Sequence, residues 1–90
     1  MAKIKDTASN IMLFCYQNID VKLHYVLDYA TFNVDYPSSV EEYLKAVYYL
    51  LGCGYINDVT HPAHANINPN KFALNLSARL IDVVEDELLK

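Results

Sequence analysis

The side chains of this sequence that could bind a metal ion are two histidines and two cysteines, namely His61, His64, Cys15 and Cys53. Zinc takes both kinds of ligand, but structural zinc sites draw them from closely spaced pairs, and these two cysteines lie far apart in the chain. Cys15 also falls on the apolar face of a predicted helix, where a cysteine behaves as a small hydrophobic residue. The sequence therefore predicts loop histidines, free thiols in a reducing compartment, and no metal ion or other cofactor.

Groups for acid–base or nucleophilic catalysis do not form a recognisable motif. His24 and Asp28 fall one turn apart if their segment is helical, which is the spacing of an exposed pair on a solvated helix face. No nucleophile accompanies them, and the sequence contains no glycine-rich phosphate loop, nucleophile elbow or zinc-protease helix. We therefore expect a protein that is not an enzyme.

The length and composition fit one folded domain, residues 1–90. About half of the residues (53%) are apolar or tyrosine, which is enough to build a compact core. A domain of this size is close to the lower limit of independent stability, which favours pairing with a second copy or with another protein. No apolar run approaches the roughly 20 residues that span a bilayer. We expect a cytoplasmic protein without a membrane segment.

The net charge of −4 is distributed unevenly along the chain. Residues 77–90 carry −2, from two cations against four carboxylates, and residues 40–76 carry −1, from two cations against three. Proteins that bind DNA neutralise its phosphates with lysine and arginine. The charge therefore gives little support to a nucleic-acid partner, although it does not exclude one.

Three helical segments come first in the chain. Apolar residues recur at helical spacing over residues 7–18, 21–30 and 40–51. Ser39, followed three residues later by Glu42, forms a capping box that predicts the start of the third helix. The third helix has the clearest start signal of the three.

A turn, a β-hairpin and a last helix are predicted after the third helix. Gly52 and Gly54 end that helix, one of them in the left-handed conformation. Residues in the second strand alternate between apolar and small or polar types, and the loop before it is rich in proline and asparagine. The remaining elements are two strands and a helix, over residues 55–60, 72–76 and 77–90. The predicted fold class is α+β, in the order helix, helix, helix, strand, strand, helix.

This succession resembles the winged-helix domains of bacteria and their phages. The stretches that carry the resemblance are SVEEYLKAVYYLLGCGYI and, after a loop, KFALNLSARLIDVVEDELL. Members of the family commonly show a recognition helix that ends in leucine and glycine, then a wing, and then a strand that runs directly into a closing helix. The likeness covers most of residues 38–90. It implies a small winged helix with a recognition helix over about 40–51 and a wing over about 55–76.

The resemblance also implies a DNA-binding regulator, in which the exposed side of the third helix enters the major groove and the wing lies along the backbone. Two features depart from that pattern. Two glutamates lie at the start of the helix, and the wing carries neutral polar side chains with a single lysine at its base. The candidate DNA contacts are Ser38, Ser39, Glu42, Lys45, Tyr49, His61, His64, Asn66, Asn68, Asn70 and Lys71.

The alternative is a protein-interaction module of the same fold, such as a phage- or plasmid-encoded inhibitor or adaptor. Eight tyrosines are many for this length, and tyrosine is enriched in protein interfaces because its ring adds contact area. Ordinary packing at the edge of the core is the competing explanation. We expect Tyr43 and Tyr48 to pack and other tyrosines to stay near the surface.

The last helix has a wider apolar face than packing within one small domain requires. This face would suit a contact between two copies of the chain, although packing against the first helix must use some of the same residues. We therefore expect a homodimer, whose interface candidates are Leu80, Val83, Val84, Leu88 and Leu89.

Overall fold

The computed structural model describes residues 4–60 and 70–89. These form helices and a three-stranded antiparallel sheet, so the predicted α+β class is confirmed. In chain order the elements are α1 (Ile4–Asn18), β1 (His24–Asp28), α2 (Tyr29–Asp35), α3 (Val40–Cys53), β2 (Ile56–Thr60), β3 (Lys71–Leu76), α4 (Ala78–Val83) and a π-helical segment (Val84–Leu88).

The prediction of a second helix over residues 21–30 is wrong. Residues His24–Asp28 form strand β1, and the helix begins only afterwards, at Tyr29. A turn precedes the strand: Asp20 Oδ1 accepts hydrogen bonds from the backbone N–H groups of Lys22 (2.9 Å) and His24 (3.0 Å). Leu23 in this turn has a φ of +58°, which a regular helix cannot contain. The predicted order of elements is therefore corrected by one strand between the first two helices.

The exposed helical pair predicted for His24 and Asp28 is wrong for the same reason. A strand rises about 3.3 Å per residue, so the two side chains lie much farther apart than one helical turn would place them. Asp28 instead caps α2, where its Oδ1 accepts a hydrogen bond from the backbone N–H of Ala30 (3.4 Å). A short polar side chain at this position satisfies an amide that would otherwise have no partner at the start of the helix.

The sheet has the order β1-β3-β2, so β3 is the central strand. Leu27 in β1 lies opposite Phe72 in β3, and both are fully buried. The alternation predicted for the second hairpin strand is confirmed, because Phe72, Leu74 and Leu76 are buried while Asn75 is exposed. β2 pairs with the other side of β3, with an irregularity between Ile56 and Asp58. One face of the sheet thus covers the helices.

Helix α3 begins where the capping box predicts. Ser39 has an extended backbone and its Oγ accepts a hydrogen bond from the backbone N–H of Glu42 (3.1 Å). The helix ends at Cys53, two residues later than predicted, and Gly54 follows in the left-handed conformation with a φ of +83°. Gly52 lies inside the helix and does not end it. The buried side of α3 is formed by Tyr43, Ala46, Val47 and Leu50.

The last helix is shorter than predicted and changes its geometry. Ser77 caps α4, since its Oγ accepts a hydrogen bond from the backbone N–H of Leu80 (3.4 Å). After Val83 the chain widens into the π-helical segment, in which the backbone N–H of Leu89 donates to the carbonyl of Val84 (2.8 Å). The side chain of Glu85 accepts a hydrogen bond from the Tyr16 hydroxyl, so this segment is tied to the end of α1.

Aromatic rings fill much of the core and absorb most of the tyrosines. Tyr43 is fully buried, as predicted, with its ring 5.1 Å from that of Tyr29 and 5.9 Å from that of Phe32. Its hydroxyl donates a hydrogen bond to the Asn70 carbonyl (2.7 Å). On the α1 side, the Phe14 ring contacts the rings of three residues, namely Tyr25, Phe32 and Tyr36. Packing within the chain therefore explains most of the tyrosine excess.

Candidate interaction surface

The outward side of α3 is the surface that the fold leaves free beside the hairpin. Because Tyr43, Val47 and Leu50 face the core, the opposite side of the helix is exposed. We call this exposed side the α3 stripe; it consists of Glu41, Lys45, Tyr48 and Gly52. Their spacing of four, three and four residues places them on one face of a helix.

The charges of the α3 stripe neutralise each other. Lys45 Nζ lies 2.8 Å from Glu41 Oε1, one turn away on the same helix, and both side chains are exposed. The hydrogen bond and charge of Lys45 lower the pKa of Glu41, and those of Glu41 raise the pKa of Lys45. Both groups are therefore ionised over a wide pH range around neutrality. The stripe presents a bound pair of opposite charges and no unpaired cation.

Tyr48 contributes the largest exposed ring of the α3 stripe. Its side chain is 56% exposed, and one edge of the ring approaches Phe72 with a centroid distance of 6.5 Å. We predicted Tyr48 to pack in the core, and that prediction is wrong. The signal was present in the sequence, because Tyr48 follows Leu44 by four residues and falls one residue off the stripe defined by Tyr43, Val47 and Leu50. Val40, which is also exposed, and half-buried Leu44 extend this apolar surface toward the start of the helix.

Tyr49, the tyrosine that we predicted to contact DNA, lies on the other flank of α3. It is 37% exposed and borders a depression formed with α1 and the π-helical segment. A hydrogen bond with Cys53, one turn later, raises the pKa of the Tyr49 phenol. Tyr49 and Lys45 are therefore not parts of one flat reading surface.

The two predicted serine contacts are used within the fold. Ser39 Oγ caps α3. Ser38 forms the connection from α2, where its backbone N–H donates to Asn33 Oδ1 (2.9 Å) and its carbonyl accepts from the Tyr29 hydroxyl (2.6 Å). The Ser38 Oγ atom is buried and has no hydrogen-bond partner among the described residues. Neither hydroxyl projects freely into solvent. Glu42 is half-buried beside them.

The base of the hairpin holds the last two described DNA candidates. Lys71 begins β3 and is directly opposite Asp28 of β1 in the sheet register, so a carboxylate lies beside this cation. Asn70 is half-buried and its carbonyl accepts the hydrogen bond from Tyr43. The predicted wing contacts His61, His64, Asn66 and Asn68 lie outside the described residues.

The dimer candidates separate into two groups. Leu80 and Val84 are fully buried in the core of the chain itself, packed with α1, so they are not available to a second copy. Val83 and Leu88 are half-buried, and Leu89 is 53% exposed. The apolar face of the last helix is wide because α1 and the sheet both need it.

The thiols and carboxylates of the described residues form no cluster of three or more groups that could hold a metal ion. Cys15 and Cys53 are free, as predicted. Burial raises the pKa of the Cys15 thiol from 9.0 to about 12, so this group stays protonated and unreactive near neutral pH. Among the helices at 4–60 and 70–89, none is both long enough and apolar enough to cross a membrane.

Comparison with known proteins gives no match: no family model, no curated protein and no solved structure is similar to this chain.

Proposed function

We propose that this chain is a small, non-catalytic winged-helix domain that binds a partner protein through the α3 stripe. The architecture supports the winged-helix assignment, since α2 and α3 are joined by a short turn, a β2–β3 hairpin follows α3, and β3 runs directly into a closing helix. The free thiols support a reducing compartment such as the cytoplasm.

The observation that carries the proposal is the pairing of the lysines on this side of the molecule. Lys45 is bound to Glu41, and Lys71 lies across the sheet from Asp28. A DNA phosphate would have to compete with these carboxylates, and it would meet the charge of the carboxylates at the same time. A protein surface carries no such uniform charge, so the bound pair can remain intact at the rim of a protein interface.

Tyr48 provides the contact area that such an interface needs. Tyrosine is enriched at interface hot spots because its large ring buries apolar surface while its hydroxyl keeps a polar partner. Val40 and Leu44 lie beside it and add apolar surface along the helix. Charged groups next to an aromatic centre fit the common pattern of an apolar patch with a polar rim.

Site-specific photo-crosslinking tests this proposal in cells that encode the chain. Tyr48 is replaced by a photoreactive phenylalanine analogue, and the matched control carries the same analogue at Val34, which is 78% exposed on α2. We expect a discrete, protease-sensitive adduct from position 48 that position 34 does not give. An adduct sensitive to nuclease, or equal adducts at both positions, would contradict the proposal.

DNA binding is the second candidate, and the arrangement of α2, α3 and the hairpin is the observation that favours it. A helix-turn-helix unit places its second helix in the major groove, and α3 is accessible on its outer side. In that case Lys45 and Lys71 would exchange their carboxylate neighbours for phosphates. The salt dependence of DNA binding separates the two candidates, because phosphate contacts release counterions and protein contacts through Tyr48 do not.

A further inference from the structure

A second surface lies away from the α3 stripe, between α1 and the C-terminal helical residues. Two neighbouring depressions meet here and share the side chains of Tyr55, Val83 and Glu87. We call them together the C-terminal groove. They enclose about 280 and 200 Å³ and are open to solvent. Open depressions of this size suit single side chains of a protein partner better than an enclosed small molecule.

The two halves of the C-terminal groove differ in chemistry. The half against α1 has an apolar floor of Ala8, Met12 and Leu88, with the Tyr49 ring at its border. The other half is lined by the carboxylates of Asp82, Asp86 and Glu87 and by a single cation, Arg79. An apolar half beside an acidic half is the complement of a segment that carries apolar and basic side chains.

The acidic half holds charge that the described residues do not neutralise. Asp82, Asp86 and Glu87 are exposed, and none of them forms an ion pair with a described residue. The guanidinium of Arg79 lies over the Tyr55 ring, 5.5 Å from its centroid. Three carboxylates thus surround a place where one cation already stacks on an aromatic ring, and a second cation would be attracted to it.

The π-helical segment explains why these carboxylates meet. Its wider turn forms hydrogen bonds five residues apart, so Glu87 is carried back toward the side of the helix on which Asp82 and Asp86 lie. A regular α-helix would direct residues five positions apart to different sides. The change of helical geometry after Val83 therefore concentrates negative charge at the groove.

We propose that the C-terminal groove binds a basic amphipathic segment of a partner protein, with an apolar side chain over Ala8 and Met12 and a lysine or arginine at Asp82, Asp86 and Glu87. A second copy of this chain is a poor occupant because its net charge is −4 and it would bring further carboxylates. The C-terminal groove is separate from the α3 stripe, so this inference does not depend on the function proposed above.

Nuclear magnetic resonance titration of the isotope-labelled full chain tests the inference with three synthetic helical peptides. The first peptide combines leucine and lysine, the second has glutamate in place of lysine, and the third has serine in place of leucine. We expect the leucine–lysine peptide alone to give saturable shifts, confined to residues that line the C-terminal groove. Equal binding of the glutamate peptide, or absence of saturable shifts in the groove, would overturn the proposal.

Substitution of the carboxylates supplies the matched control. The double variant Asp86→Asn with Glu87→Gln should weaken binding of the leucine–lysine peptide about fivefold or more, because two exposed ion pairs are lost. Asp58→Asn removes an exposed carboxylate from β2, outside the groove, and should leave the affinity unchanged. An equal loss in both variants would show attraction to negative charge in general and would overturn the site. Groove shifts that depend on protein concentration without peptide would assign the groove to a second copy and would overturn it as well.

Discussion

At the scale of single residues, Tyr43 and Tyr48 show how the same side chain serves two environments on one helix. Tyr43 is enclosed by the rings of Tyr29, Phe32 and Phe72, and its hydroxyl reaches the carbonyl of Asn70. Tyr48 leaves its hydroxyl in solvent and contacts the core only through a ring edge. Tyr43 therefore contributes to stability and Tyr48 to the surface.

Removing the two hydroxyl groups in turn should separate these roles. Tyr43→Phe deletes the donor to a carbonyl at the base of β3, and we expect it to lower the free energy of unfolding by about 1 kcal/mol. Tyr48→Phe, the same chemical change on the exposed side, should alter it by less than about 0.5 kcal/mol. Urea denaturation measures both, and equal effects would show that the buried hydrogen bond does not stabilise the fold.

The buried thiol of Cys15 makes the stability depend on alkaline pH. Burial raises the pKa of this group from 9.0 to about 12, so above pH 9.0 the unfolded chain releases the proton while the folded chain keeps it. The stabilisation is complete below pH 9.0 and is lost as the pH rises toward about 12. The free energy of unfolding should fall by up to about 1.4 kcal/mol per pH unit from this group.

Two alanine variants test the assignment to Cys15. Cys15→Ala removes the titrating group, so denaturation at about pH 8 and about pH 10.5 should show a smaller loss than in the original chain. Cys53→Ala removes a half-exposed thiol and should keep the original pH dependence. A loss in Cys15→Ala as large as in the original chain would assign the alkaline dependence to other groups.

At the scale of elements, local signals predicted α3 and β3 correctly and failed for β1. The cap at Ser39 and the alternation of Phe72, Leu74 and Leu76 are properties of a few adjacent residues, so the sequence contains them directly. The apolar residues before α2 also match a helical stripe, and only pairing with β3, more than forty positions later, makes them a strand. The candidate site inherits this limit, since the predicted face of α3 contained Lys45 but not Tyr48.

The end of α3 provides a matched pair of glycine substitutions. Gly52 is helical and exposed with no atom near its added Cβ, so Gly52→Ala should stabilise the fold by about 0.5–1 kcal/mol through helix propensity. Gly54 has a φ of +83°, and Gly54→Ala should destabilise the fold by about 1 kcal/mol or more through backbone strain. Thermal unfolding of the two variants gives the signs. Changes in the same direction would contradict the placement of the helix end between them.

At the scale of the whole molecule, the distribution of charge decides which kind of partner the surface fits. The chain carries eleven carboxylates against seven lysine and arginine side chains. The lysines beside the hairpin are next to carboxylates, and the last helical turns carry an unneutralised acidic cluster. A surface of this kind repels nucleic acid over most of its area and leaves apolar and aromatic side chains as the principal contacts on α3.

The measurement that tests this account most directly is a fluorescence-anisotropy titration with labelled DNA fragments from the genome that encodes the chain, from low to physiological salt. Lys45→Ala is compared with Lys22→Ala, which removes an exposed lysine from the turn before β1. We predict weak or undetectable binding, no steep dependence on salt, and no difference between the two variants. Tight binding that weakens steeply with salt, and that Lys45→Ala reduces while Lys22→Ala does not, would contradict the account and establish α3 as a DNA-reading helix.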